Sequence, residues 1–401
     1  MANTLLTPTA VTREALRILH QKLNFIGSIN RQYDDSFAKS GAKIGDSLKI
    51  RLPNQYVVRT GATLAAQDTV ETSTTLQVAT QKGVDLNFTS VDLTLSMQDF
   101  SERIIEPAMS VLAANVESDA LNMYKDVYQQ INGAGAAATF KQVLQGRKRL
   151  NDSLAPGASR TALLNTTDNV DLVDALKGLF QDSTQISKQY REGYMGRTAG
   201  FDFAENTLLP SHARGAATST YTTSTLVGAL PISATPVTSL AVLTGTGAFA
   251  AGEVFTIANV FEVHPETKAN TGRLQQFVVA AGYAGGAGTI TGITPAIVLA
   301  GAAQNVVIPT TSATAAIAVA GTISTANGIS MLYHKDAFTF ATADLVMPDG
   351  VDWAAREVFD GLSMRIVRQY AISSDTFPCR LDILYGYKTI RAQLAARLAA
   401  N

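Results

Sequence analysis

Apolar positions along the chain change period several times, and each change marks an element. In "TPTAVTREALRILHQKLNFIGSIN", Val11, Ala15, Ile18 or Leu19, Lys22 and Phe25 or Ile26 recur at helical spacing. Thr12 stands where a cap belongs, and Glu14 early with Lys22 late suits the helix dipole. The helix has one greasy side and no neighbour in sequence to cover it. From Ile44 to Leu95 the period falls to two. "DSLKIRL" sets Leu48, Ile50 and Leu52 opposite Ser47, Lys49 and Arg51, and Val84, Leu86 and Phe88 alternate with Asp85 and Asn87. Between these runs lies the polar "RTGATLAAQDTVETST". The pattern predicts a long hairpin with a loose tip, which is marginal in water unless another surface covers it.

The helical period then returns. Ile105, Leu112, Val116, Ala120, Met123, Val127 and Ile131 form one stripe, with Asp99 or Ser101 as caps and Pro107 at a kink or in the true first turn. This predicts a rod of about 38 Å, at 1.5 Å per residue, ended by "NGAGAAAT". "TFKQVLQGRKRLND" reads as a second helix. "RTALLNTTDNVDLVDALKGLF" reads as a short buried strand, a cap and an amphipathic helix, and "AGFDFAENTLLP" as a strand. This alternation indicates a mixed αβ layer.

From about Ala216 to Ser330, Thr, Ala, Gly and Val dominate, and the only Asp, Glu, Lys or Arg residues are Glu253, Glu262, Glu266, Lys268 and Arg273. Short apolar runs split by glycine turns suggest five to eight strands. Edges this apolar would aggregate if open, so the stretch is read as an inserted all-β module, closed or nearly so. Phe255, Phe261, Phe277 and Tyr283 are its expected core. The αβ pattern resumes with "SMLYHKDAFTFATADL". A final hairpin, "GLSMRIVRQYAISSDTFPCRLDILYGYKTIR", places Ser373 to Thr376 in the turn. That register faces Ile372 with Phe377, Tyr370 with Cys379, Arg368 with Leu381, Ile366 with Ile383 and Met364 with Tyr385. Its other face pairs Gln369 with Arg380 and Val367 with Asp382. Arg368 is the one charge on the apolar face. It is expected to snorkel at the sheet margin or to meet a carboxylate at a subunit contact.

Composition adds exclusions. The 401 residues carry a formal net charge of -1, which argues against a dedicated nucleic-acid binder. "QGRKRL" reads as a solvated helix face rather than a phosphate contact. Cys379 is the only cysteine, so no intramolecular disulfide forms. "MANTLLTPTAVTREALRIL" lacks the features of a signal peptide, and no run of about 18 apolar residues exists to span a membrane. His20, His212, His264 and His334 stand far apart without metal-ligand spacing. No nucleophile elbow or phosphate-binding loop is present, and Glu102 with Glu106 are helix-surface neighbours rather than an acid/base pair. An enzyme with a β accessory domain therefore has no motif in its favour, and no cofactor is implied. Extended elements predominate instead. A subunit gripping several neighbours uses such elements, at about 800 Å² per partner in a standard contact. Heterologous contacts of this kind close copies into rings or shells. The other structural alternative is a tail-tube or adhesion component of a virion.

The stretches "RIVRQYAISSDTFPCRLDILYGYKTIR", "LYHKDAFTFATADL" and "FEVHPETKANTGRLQQF" resemble the major capsid proteins of tailed bacteriophages, in the branch typified by the short-tailed phage P-twenty-two. Ala371 departs from that pattern, where an acid is expected. The resemblance implies an α+β, Hong Kong-97-like capsid fold with an inserted all-β module. It implies an N-terminal arm over residues 1–33, and an extended hairpin loop and the start of the peripheral domain over 34–95. Residues 96–155 would hold the peripheral domain with its spine helix, and 156–215 the first part of the axial domain. The inserted domain would span 216–330, and 331–401 would complete the axial domain and the peripheral strands. The implied role is structural and non-catalytic. Copies would assemble with a scaffolding protein into the hexamers and pentamers of an icosahedral shell in the host cytoplasm. Portal protein and double-stranded DNA, bound without sequence specificity, would be further partners, and no membrane is involved. Inter-subunit contacts are expected from Arg59, Asp68 and Glu71 near the hairpin tip and from Arg368. Glu262, Glu266, Lys268 and Arg273 are expected to line a loop touching a neighbouring capsomer or the insert's own parent domain.

Overall fold

The structure is a computed structural model that describes residues 8–33, 47–64, 66–67, 71–89, 104–132, 135–176, 196–223, 235–309, 314–359, 362–373 and 376–400. It is mixed α+β and divides into two compact units. The first comprises Met1–Arg51, Ser73–Leu121 and Phe338–Ile390; the second comprises Leu52–Thr72, Asn122–Ala337 and Arg391–Asn401.

The first unit is built on one sheet. Its main path runs Asn30–Tyr33, Phe338–Ala343, Thr376–Thr389, Leu362–Arg368, Trp353–Phe359, with Thr80–Thr89 also paired to Thr376–Thr389. The length of Thr376–Thr389 lets one strand serve three partners. Helix Pro8–Lys22 packs against helix Glu106–Leu121 and against the strands Trp353–Phe359 and Leu362–Arg368. Val11, Ala15, Leu16 and Leu19 are buried there. The unit's own sheet and second helix thus supply the cover for helix Pro8–Lys22 that nearby sequence lacks. Glu117 Oε1 accepts the Phe25 N–H at 2.9 Å, and the Phe25 and Phe338 rings meet edge-on at 5.6 Å. Helix Glu106–Leu121 is shorter than the stripe suggests, about 24 Å by its residue count. A 3-10 turn, Asn122–Asp126, follows it, and Ile131 lies in strand Gln130–Asn132. Val127, just past that turn, and Ile131, in the strand, are both buried although neither lies on a helix face, which is why they continue the apolar pattern. The caps proposed at Asp99 and Ser101 lie outside the described residues.

Two hairpins complete this unit. Ser47–Arg51 pairs antiparallel with Ser73–Gln77, and Leu76, Val78, Ala341, Ala343, Leu345 and Leu384 form a small core with Leu48 and Ile50 against it. The C-terminal hairpin pairs Arg368 with Cys379, Ile366 with Leu381 and Val367 with Arg380. This register lies two residues from the expected one, because Ala371 and Thr376 close the turn. A two-residue shift keeps every side chain on its face. It changes the partners, however, and brings Arg365 opposite Asp382.

In the second unit, a sheet of order Gln130–Asn132, Ala395–Ala399, Ala326–His334, Arg160–Leu164, Phe201–Glu205, Arg197–Thr198 carries helices Phe140–Asp152 and Thr166–Leu176. At Gly146 the first of these helices lies so close to Leu332 that a Cβ would overlap its side chain. The insert is a closed barrel. Thr222–Thr223 pairs with Ser239–Thr244, and that strand with Gly288–Thr291. Ile293–Thr294 pairs with Asn270–Val279, which pairs with Val254–Val263, which pairs with Ile317–Val319. A bridge from Thr222 to Ala316 closes the ring. Tyr221, Phe249, Phe255 and Phe277 fill it, with Phe255 and Phe277 stacked at 5.7 Å. Tyr283 packs on this core from a half-buried position and Phe261 is half-buried, so two of the four expected aromatics are central. Strand Ala326–His334 belongs to the parent sheet, although its first five residues fall within the span expected for the insert.

Candidate functional site

Apolar surfaces that a chain's own folding leaves uncovered are its candidate contact sites. The most extreme case is the loop between Leu52 and Thr72. Residues 53–64 are exposed throughout, including Tyr56, Val57, Val58 at 89 % and Leu64 at 82 %. The loop nevertheless has a defined shape. The Val57 N–H donates to Gln67 Oε1 at 2.9 Å, and Gln67 Nε2 donates back to Val57 O at 2.5 Å. One side chain thus takes the place of a strand partner. Leu52 N–H donates to Thr72 O at 2.9 Å and closes the base, and Arg59 Nη1 donates to Gly61 O. Arg59 and Glu71 both lie on this exposed loop, and Asp68 lies outside the described residues. The charged choices missed the apolar residues beside them. Their signal was "QYVV", an apolar run with no second layer, next to Pro53 and Gly61.

Apart from Glu253, which pairs with Arg214, the barrel's charges separate into two groups. Arg273 Nε and Nη2 donate to the two Glu262 oxygens, each at 2.9 Å, and its Nη1 donates to Asp152 Oδ2 at 2.5 Å. Arg149 lies 3.6 Å from Glu262. Asp152 and Arg149 belong to helix Phe140–Asp152 of the parent sheet, so this group joins barrel to parent. Burial alone would lower the Arg273 pKa; Asp152 and Glu262 outweigh it and hold it above the ordinary value. The second group is the tight turn after Val254–Val263. His264 Nδ1 accepts the N–H groups of Glu266 and Thr267 at 3.3 and 3.2 Å, leaving Glu266 exposed. Lys268 Nζ donates to Gln304 O at 3.1 Å. The structure therefore brings Glu262 and Arg273 together and leaves Glu266 in solvent.

At the C-terminal hairpin, Arg368 is half-buried with its guanidinium 5.0 Å from the Phe377 ring centroid, and Tyr370 packs on Phe377 at 5.0 Å. Beyond them Ile372 projects at 87 % exposure. Across the sheet Asp382 is fully buried and accepts from Arg365 and Arg380, each at 2.7 Å. Gly83 makes room for it, since a Cβ there would meet Asp382 Oδ1 at 2.5 Å. Cys379 is buried, and that burial pushes its thiol up to about 12. Among the described residues no group of three His, Cys, Asp or Glu is placed to hold a metal ion, and no helix is long and apolar enough to cross a membrane.

Exposed apolar surfaces of this kind suit contact between proteins. The family model described as "P22 coat protein - gene protein 5" matches residues 26–396, and the chain belongs to that coat protein family. No curated protein matches it by sequence. Among solved structures, the chain is similar to one titled "Mycobacterium phage Che8", at 11 % identity and TM-score 0.48 over 94 % of this chain and 90 % of that one. It is similar to the capsid structure of the cyanophage P-SCSP1u, at 11 % identity and TM-score 0.43 over 89 % and 84 %. It is also similar to the asymmetric unit of the bacteriophage PhiM1 mature capsid, at 9 % identity and TM-score 0.44 over 94 % and 86 %. The family match carries the assignment.

Proposed function

We propose that the chain is the major capsid protein of a tailed phage, with a Hong Kong-97-like fold. Its copies assemble with a scaffolding protein into hexamers and pentamers of an icosahedral shell around double-stranded DNA. Assembly takes place in the host cytoplasm, with a portal protein as a further partner. The observation that carries this reading is the coat-family match over 26–396 together with the preformed, uncovered apolar loop. An ordered surface of this kind loses little entropy on docking. Covering Val58 or Leu64 contributes roughly 1.5–3 kcal/mol per side chain. We assign contacts with neighbouring copies to Tyr56, Val57, Val58, Arg59, Leu64, Asp68 and Glu71, and to Ile372 beside Arg368. Glu266 and Lys268 on the barrel turn are assigned to a neighbouring capsomer. Glu262 and Arg273 are engaged inside the chain and serve the barrel's seat. A net charge of -1 fits a wall that encloses DNA without gripping it. Expression with a scaffolding protein, followed by negative-stain microscopy, tests the reading. Closed shells of uniform diameter are expected; tubes, or a stable monomer at high concentration, contradict it.

A further inference from the structure

The barrel leaves and rejoins its parent sheet through one neck. The incoming strand Ser211–Ala213 pairs antiparallel with the first residues of the outgoing strand Ala326–His334. Arg214 follows, and its side chain is 9 % exposed. Its Nη2 donates to Ala217 O at 2.8 Å on the incoming chain, and its Nη1 donates to Gly321 O on the outgoing chain. Its Nε donates to Glu253 Oε1 at 3.3 Å, and Glu253 Oε2 accepts the Ala250 N–H at 2.6 Å. The Glu253 side chain is 1 % exposed. One buried guanidinium therefore holds both strands of the neck and the barrel itself.

A second arginine arrives from the far end of the sequence. Arg397, on strand Ala395–Ala399, is fully buried. Its Nη2 donates to Gly252 O at 2.5 Å, and its Nε donates to Gln130 Oε1 at 2.9 Å. Gln130 and Gln276 exchange two further bonds, each of 3.0 Å, between the parent strand and the barrel. The backbone at these points has no room to slide. A Cβ at Gly252 would press on Lys125 at 2.8 Å, and one at Gly215 would overlap Ala248 O.

Gln130, His212, Arg214, Glu253 and Asn327 also line a cavity of about 10 Å³. That is room for one water among several polar partners. His212 Nδ1 lies 3.1 Å from Tyr124 Oη, while its Nε2 is buried and has no hydrogen-bond partner among the described residues. We propose that the neck is a lock, in which Arg214 and Arg397, with one water bound at His212 Nε2, fix the barrel's orientation on the sheet that carries it. Removing either guanidinium leaves buried carbonyls unpaired, and removing Arg214 also strands the Glu253 carboxylate. The barrel's aromatic core contains neither arginine, so it outlasts the lock.

Hydrogen exchange read by mass spectrometry on the full chain tests this, with Arg214→Met and Arg397→Met. The expected result is exchange at least about ten-fold faster in 211–217 and 320–328, while Val254–Val263 and Asn270–Val279 keep their original rates. The lock is overturned if both variants leave the neck unchanged. It is also overturned if the barrel strands accelerate as much as the neck. Should a methionine variant not fold, Arg214→Lys and Arg397→Lys keep the charge, lose the fork and are judged by the same two outcomes. A density map that resolves buried waters elsewhere is expected to show one within hydrogen-bond distance of His212 Nε2, and no peak there overturns the water's part.

Discussion

The inserted barrel and the loop Leu52–Thr72 are both detours from a sheet, and they handle apolar residues in opposite ways. The barrel closes its hydrogen-bond ring and buries Tyr221, Phe249, Phe255 and Phe277 within itself. The loop spreads Tyr56, Val57, Val58 and Leu64 over a single layer and buries none of them. Four apolar side chains without an opposing layer cannot make a core, whatever their hydropathy. The loop nonetheless pays for its order locally, through Gln67. The contrast separates what the chain completes alone from what, on the proposed reading, it leaves for another copy.

Substitutions sharpen this contrast most in the barrel. Phe277→Ala removes half of the stacked pair in its centre and is expected to cost about 3–5 kcal/mol, read by denaturant unfolding of the barrel signal. A loss below about 1 kcal/mol would mean the barrel does not rely on its own core. Acid comes next. Burial, then Arg397 and Lys125, push the His212 pKa from 6.5 down to about 4. Between those values the unfolded chain binds a proton that the folded chain refuses, so stability falls as pH drops from about 6.5 toward 4. Below that window this contribution is gone; above it, it is fully present. Discounted for partial exposure, the loss from pH 7 to 4.5 is roughly 2 kcal/mol. His212→Gln is expected to lack that increment, and equal pH slopes for both proteins would refute it.

Arg273→Ala is a smaller test. It breaks the contacts to Glu262 and Asp152 from a partly exposed site, with an expected cost of about 1–2 kcal/mol. The cost is to be measured by thermal unfolding, and no change would make the pair ornamental. The smallest effect on the free subunit belongs to the loop. Val58→Asp is expected to shift monomer stability by no more than about 0.5 kcal/mol while abolishing shell yield. Normal shells from this variant would erase the distinction between the two regions.

The barrel was legible in the sequence because closure leaves a signature: few charges, short apolar runs and glycine turns. Its end was misplaced because Ala326–Ser330 continues the small-residue, uncharged composition of the insert while belonging to a strand of a different sheet. The C-terminal hairpin was assigned the correct faces and the wrong partners. Alternation fixes parity, but the closing pair Ala371 and Thr376 sets the register, and neither residue announces that role. The helical stripe ran on through Val127 and Ile131 because the segment after the 3-10 turn and the strand that follows it are buried as well, without being helical. The helix Pro8–Lys22 looked uncovered because its partners lie some hundred and more than three hundred residues further along. Of the candidate contacts, the charges were easy to pick and the apolar residues were not. An exposed valine is spelled like a buried one: "QYVV" marks an apolar run, and the fold shows that no described residue covers Val58. Arg214 and Arg397 gave no signal, since a lone arginine in an apolar run identifies no partner.

The central claim is that the loop's apolar surface is covered only in the assembled particle. Cys379 is the sole native cysteine and is buried, so a single Val58→Cys substitution provides a clean probe. Thiol labelling of that variant, compared between free subunits and purified particles, is the direct measurement. Fast labelling in the free subunit with strong protection in the particle is the predicted result. Equal labelling in both states would contradict the account.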